Sequence, residues 1–236
     1  MEERIQKIIG GSGICSRRKA EMLIYSKRVY VNNKQAEIGE KANPLVDIIR
    51  IDNFIIPKNI KSKVILINKP QGIICTCNDT HNRKTVIDLL PKELRPGMYP
   101  VGRLDLNSRG ALLISNNGLL TYQLTHPKYN HSKIYQVWVK GLPNEETLNL
   151  WREGIYIDGK KTKKALVKLK KQSKYKSLLE ITLFEGRNKQ IRRIGQQLKH
   201  AVIDLKRVSI SNIKLGNLNE GSWRCLDNQE WEMLLK

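Results

Sequence analysis

Residues 99–118 read YPVGRLDLNSRGALLISNNG. A Pro, a Gly-Arg, a Leu-Asp and a second Arg-Gly lead into an apolar run. Asp105 thus sits on a loop between two apolar segments, with Arg103 and Arg109 on either side. An Asp in a turn is commonly a cap or a surface charge. Cationic neighbours favour its charged form, and a carboxylate held that way can serve as nucleophile or base. A second stretch, LFEGRNKQIRRIGQQLKH (183–200), runs from a strand through a Gly-Arg-Asn turn into a helix. Ile191, Ile194 and Leu198 share one face of that helix. Arg192 lies in its first turn beside the apolar stripe, and Arg187, Lys189 and Arg193 add local charge. Taken alone, this is a basic surface helix.

Other chemistries find no support. GxGxxG, GxxxxGK[ST], HExxH and GxSxG are all missing. His81, His126, His131 and His200 are isolated, and His126 precedes Pro127 in a turn. Isolated histidines are more often structural than ligands or bases. Cys15, Cys75, Cys77 and Cys225 do not make a disulfide scaffold. On a strand Cys75 and Cys77 would share a face, but they lack the second pair a zinc site wants. The sequence therefore implies no metal, no cofactor and free thiols in a reducing cytoplasm.

The chain has 236 residues, so one or two domains are expected. Lys and Arg number 43 against 22 Asp and Glu, a net charge of +21. That surplus points to a polyanion, either nucleic acid or an anionic membrane surface. No stretch approaches the roughly 20 apolar residues of a spanning helix. The start, MEERIQKIIGGSG, has two acids and no long apolar core, which is not a secretory signal. Hydrophobic residues make up 40%, enough for a core.

These groups need elements to hold them. Ile5, Ile8 and Ile9 have helical spacing, and the glycines after them make a turn. Ser16 is placed to cap a helix from Arg17, with Ala20, Leu23, Ile24 and the Lys27 stem as its core stripe. Arg17, Arg18 and Lys19 crowd the first turn, where positive charge opposes the helix dipole. A fold has no need of that, so they read as a polyanion contact. VYVNNKQAEI predicts a hairpin around Asn-Asn, and DIIRID another short strand. Residues 53–63, with one Pro and three Lys, read as a linker. Beyond it, strands are expected at 64–68, 111–115, 134–139, 165–169 and 178–184, with helices near 145–153 and 189–199. Strands outnumber helices and seldom alternate with them, so the fold class is α+β. Residues 159–176 hold nine Lys and no acid, either a solvated hairpin or a ridge that tracks phosphates. Residues 1–60 carry a surplus of only +4, so most charge belongs to the second unit.

The motifs together resemble a family. NKPQGIICT (68–76), GRLD (102–105) within YPVGRLDLNSRGALLISNNGLLTYQLTHP, KIYQVWVKG (133–141), EGRNKQIRR (185–193) and VIDLKRVSISNIKLGNLNEGSWRCL (202–226) come in order. They resemble the pseudouridine synthases of the small-subunit/large-subunit ribosomal RNA branch. GICSRRKAEMLI and RVYVNNK resemble the S4-type RNA-binding domain. The family usually has Thr at Ser108 and often Leu at Ala111. The N-terminal domain usually has Gly at Lys27 and Asn33, and their loss suggests a slightly different turn.

The resemblance implies a small S4-type α/β RNA-binding domain over residues 1–60 and a mainly antiparallel, mixed-sheet synthase domain over residues 61–236. It implies that uridine in ribosomal RNA is isomerised without cofactor. Asp105 would be the catalytic aspartate, as nucleophile or as base at the sugar C2′. Arg192 would pair with it, Ile191 would pack under the base, and Tyr135 would stack on the flipped uracil. Arg103 would fill the vacated space or bind a flanking phosphate, and Arg187 would also contact substrate. Arg17, Arg18 and Lys19 would hold RNA away from the pocket. The LTHP and EGRN blocks look more like members acting on large-subunit (23S) RNA; small-subunit (16S) RNA, or a catalytically inactive assembly factor, are the alternatives. A cytoplasmic monomer without membrane contact is expected.

Overall fold

The computed structural model describes residues 2–58 and 61–235. Its first elements are β1 (Glu3–Arg4), α1 (Ile5–Gly11), α2 (Arg17–Tyr25), β2 (Val29–Val31), β3 (Lys34–Gln35), β4 (Lys41–Ala42), β5 (Ile49–Ile51) and β6 (Phe54–Ile55). Ser16 Oγ accepts a hydrogen bond from Lys19 N and so starts α2. The four-stranded sheet runs β3-β2-β5-β6, and β1 pairs with β4. Ile5, Ile9, Ala20, Ile24, Val29 and Ile49 close a core that, among the described residues, ends at Ile56.

Three sequence expectations change here. The α2 stripe stops at Ile24, because the helix ends at Tyr25 and Lys27 is exposed. Lys27 and Asn33 keep the left-handed backbone of the glycines they replace, with φ +59° and +69°. The turns are thus retained, at a strain of about 1–2 kcal/mol for the Lys. Phe54–Ile55 forms a strand where a linker was expected, and Ile56 is buried. Asn59 and Ile60, where the expected boundary between units falls, lie outside the described residues.

The larger unit contains β7 (Val64–Lys69), β8 (Tyr99–Val101), β9 (Arg109–Ser115), α3 (Gly118–Thr125), β10 (Lys133–Lys140), α4 (Glu145–Glu153), β11 (Tyr156–Ile157) and β12 (Lys160–Lys161). It continues with β13 (Leu166–Ser173), β14 (Lys176–Leu183), α5 (Gln190–Gln197), β15 (Val202–Ile210), β16 (Ile213–Lys214), β17 (Trp223–Cys225) and α6 (Asn228–Leu235). The main sheet runs β13-β14-β10-β15-β9-β7-β17, with β8 on β9 and β16 on β15. Among the strands of the described residues only β15 and β9 pair in parallel, Lys206 opposite Arg109 and Arg207 opposite Gly110. The protein is a mixed α/β structure built on a large mixed sheet.

Successive strand residues face opposite sides, and the central strands bury both. From β7 and β9, Ile65, Ile67, Leu112 and Ile114 join the core under α4 and α5. Val64, Leu66, Ala111 and Leu113 join the opposite core under α3. Every residue of β7 is buried, Lys69 included. This double coverage gives the sheet a rigid centre, and the site lies at the ends of these strands. The lysine-rich segment forms edge strand β13, with Lys168, Lys170 and Lys171 exposed. Edge lysines prevent strand addition from another chain, which favours the solvated-hairpin reading.

Candidate active site

The loop between β8 and β9 carries Asp105. Its amide backbone turns back on itself, with Ser108 N donating to Asp105 O at 3.0 Å. Beneath it lies the Lys69 ammonium, at the end of β7. Lys69 Nζ donates to Ser108 O at 2.8 Å, Pro70 O at 2.9 Å, Asp105 O at 3.3 Å and Leu106 O at 3.5 Å. It is wholly buried. Loss of water pulls its pKa below the usual lysine range, against the opposing pull of Cys75 and Asp105. Gly72 N adds a hydrogen bond to Leu106 O at 2.9 Å. The loop is therefore clamped from below by one strand end.

A cavity of about 530 Å³ opens over this loop. Asp105, Tyr135, Ile191, Arg192, Lys133 and Arg207 are among its walls. β10 directs Tyr135 inward beside Val137 and Val139, and Tyr135 is 8% exposed. The strongly amphipathic α5 buries Ile191 and Ile194 on the core face, which sets Arg192 at the cavity rim. Arg192 does not make the expected ion pair with Asp105. Its Nη2 donates to Asn107 O at 2.6 Å and Ser108 Oγ at 3.3 Å, so it grips the same loop through the backbone. Its buried Nε has no partner among the described residues.

Among the described residues, neither arginine that flanks Asp105 in sequence makes an ion pair with it. Arg109 enters β9 and binds Asp204 through Nε at 3.0 Å and Nη2 at 2.7 Å, and Glu220 through Nη1 at 2.6 Å. Its hydrogen bonds hold the Asp204 carboxyl below the usual range. Arg103 is exposed at the cavity mouth. Arg187 lines the cavity, with its guanidinium donating to Glu185 and to the carbonyls of Lys160 and Lys161. Arg17, Arg18 and Lys19 are exposed on α2, away from this cavity.

Lys69, Lys133 and Arg207 stand out only in three dimensions. Arg207 is 3% exposed; its Nε donates to Ala111 O at 2.7 Å, and its buried Nη2 has no partner among the described residues. Lys133 Nζ donates to His131 O at 3.0 Å, and burial, aided by Arg207, lowers its pKa to about 8. Cys75 accepts a hydrogen bond from Leu104 N at 3.3 Å, and burial raises its thiol pKa. A charge at the end of a run as apolar as VILINK was the available signal for Lys69. For Arg207, it was an Arg in register with a strand core.

The sequence profile described as RNA pseudouridylate synthase matches residues 63–197, more than half of the chain. The chain belongs to this family. Ribosomal large subunit pseudouridine synthase B of Bacillus subtilis is 38% identical over 235 residues, 98% of this chain and 95% of its own length. An uncharacterized RNA pseudouridine synthase of Aquifex aeolicus is 36% identical over 237 residues, 100% of this chain and 95% of that one. The dual-specificity RNA pseudouridine synthase RluF of Escherichia coli K12 is 34% identical, over 99% of this chain and 78% of its own. A crystal structure of a pseudouridylate synthase superimposes with a TM-score of 0.69 at 26% identity, over 98% of this chain and 99% of that one. The segment matched to the RNA pseudouridylate synthases includes Asp105, Tyr135, Ile191 and Arg192 but ends before Arg207.

Proposed function

We propose that this pseudouridine synthase converts a specific uridine of large-subunit ribosomal RNA to pseudouridine. It does so as a cytoplasmic monomer without a cofactor. Residues 1–60 act as an S4-type RNA-binding domain and residues 61–236 as the catalytic domain. The observation that carries this reading is the cavity in which Asp105, Tyr135, Ile191 and Arg192 meet. Its support for the RNA target is a full-length relative named for the large ribosomal subunit.

The target base is unreachable inside a stacked helix, so it is extruded into the cavity. The N1–C1′ bond breaks, the uracil turns, and C5 joins C1′. C5 gives up a proton and N1 takes one, so no atoms are gained or lost. The Asp105 carboxylate either adds to C1′ or takes a proton at C2′. Tyr135 stacks on the uracil and can accept the C5 proton, while Ile191 supports the opposite side of the ring. Arg192 and Lys69 fix the loop that aims Asp105. The uracil leaves with negative charge, and Lys133 and Arg207 line the space that receives it. Preorganised cations there lower the barrier more than they bind the ground state.

The test is to map pseudouridines across both ribosomal RNAs from cells with and without this protein. One large-subunit position that reappears only with the wild-type protein is the expected result. A restored position in small-subunit RNA alone would redirect the target, and no restored position would overturn the function.

A further inference from the structure

From α3 to the start of β10 the chain builds a ladder of four rings, three of them in mutual contact. Tyr129 is set edge-on to Tyr122 at 87° and to His126 at 77°. Tyr122 and His126 have ring centroids 4.8 Å apart, Tyr122 and Tyr129 6.1 Å, His126 and Tyr129 6.4 Å, and Tyr129 and His131 6.2 Å. Lys128 Nζ sits 5.5 Å from the Tyr122 centroid and 4.6 Å from that of Tyr129. The cluster is open to solvent, with Tyr122 47% and Tyr129 39% exposed. The ladder also joins two cavities. His126 and His131 line the cavity that holds Asp105. Tyr122 lines a cleft of about 1150 Å³ between the two units, and Thr125 lines both.

We infer that this ladder is a stacking platform for the unpaired RNA nucleotides on one side of the target uridine, which leads them from the catalytic cavity into the cleft between the units. The inference rests on the RNA-modifying function proposed above and extends it to the path of the strand. Stacking on aromatic faces suits nucleotides next to a flipped base, which have lost their partners, and it tolerates any base. Lys128 meets the backbone phosphate of a stacked nucleotide. Burial and the neighbouring Lys133 lower the His131 pKa, so this rung offers a neutral ring face. In the cleft, Arg17 and Lys58 continue the positive lining, while Lys7 is paired with Glu3 at 2.8 Å. Arg17 Nη2 already reaches across to within 3.1 Å of the Cβ position of Gly118, at the start of α3. This gives Arg17, of the α2 cluster, a role in guiding the strand rather than in holding RNA at a distance.

The experiment uses the full chain and a single-stranded RNA spanning the mapped uridine, with 2-aminopurine placed two nucleotides to either side. Wild-type protein is expected to quench the fluorophore on one side only. Tyr122→Ala with Tyr129→Ala should abolish that quenching and weaken RNA binding by roughly tenfold or more. Tyr122→Phe with Tyr129→Phe, which keep the rings, should restore both. Lys128→Gln should reduce the salt dependence of binding by about one counterion. Unquenched probe on both sides, or quenching that survives the double alanine variant, overturns the platform. Pseudouridine formation is read on the same RNA. Quenching without product would overturn the enzymatic reading and leave the platform standing; product without quenching would do the reverse.

Discussion

The Lys69 ammonium donates to the Asp105 carbonyl at 3.3 Å, from a side chain that water does not reach. Its stronger bond, to Ser108 O at 2.8 Å, closes the other end of the same loop. Lys69 thus holds the backbone on which Asp105 stands, and its charge is matched by carbonyl dipoles. Lys69→Met keeps the volume and takes this donor from Ser108 O and Pro70 O, each a cost of about 1–3 kcal/mol when buried, while Asp105 O keeps Ser108 N. The loop should loosen, and a displacement near 1 Å is worth about 100-fold in rate. Single-turnover assays should show that loss while RNA affinity stays within a few-fold. Wild-type kcat in Lys69→Met would remove Lys69 from this role.

Asp105→Asn keeps the loop contacts, since they run through its main chain, and removes only the carboxylate. Product should vanish while RNA binding stays nearly intact. Tritium release from C5-labelled uridine in RNA reads the first, and filter binding reads the second. Full activity in this variant would sink the catalytic assignment.

The motifs of the site were legible because each fixed a local shape. Ile191 and Ile194 define which way α5 faces, and so where Arg192 goes. Alternation along KIYQVWVK defines which way Tyr135 points. The charge partners of Asp105 were not legible, because sequence neighbours were taken as spatial ones. Arg109 is four residues away, yet β9 has begun by then and sends its guanidinium to Asp204. The cations that hold its loop or share its cavity come from β7, β10 and β15, distant in sequence and embedded in apolar strands. The helix α3 escaped notice because GLLTYQLT opens on Gly and spreads its apolar residues without a clear face. Its start depends instead on Asn117, whose Oδ1 accepts from Leu119 N and Leu120 N. β15 was hidden by Asp204, Lys206 and Arg207, whose partners are visible only in the fold.

Gly110 lies where β9 and β15 pair in parallel. Its φ is +106°, and an added Cβ would stand 2.1 Å from Arg207 O. Neither the backbone nor its strand neighbour can yield cheaply. Gly110→Ala should cost roughly 1–3 kcal/mol from conformation alone, and more from the clash. Denaturant unfolding should register a lower midpoint. A neutral result would mean that the β9–β15 contact is looser than the glycine implies.

Lys133 supplies the pH dependence. Burial near Arg207 brings its pKa to about 8, so its positive charge is present below that pH and lost as the pH rises through it. If that charge receives the departing uracil, kcat/KM should fall on the alkaline side with a midpoint near 8. Lys133→Gln should lower the plateau and remove this limb together. Lys133→Arg should keep the charge and move the fall to higher pH. The same shift acts on stability in the opposite sense. The fold disfavours the charged lysine, so this group's penalty is full below about 8 and is relieved as pH climbs toward the ordinary lysine value. Stability and activity should therefore diverge between these limits, which separates a lost cation from simple unfolding. An alkaline limb unchanged in Lys133→Gln would assign the titration to another group.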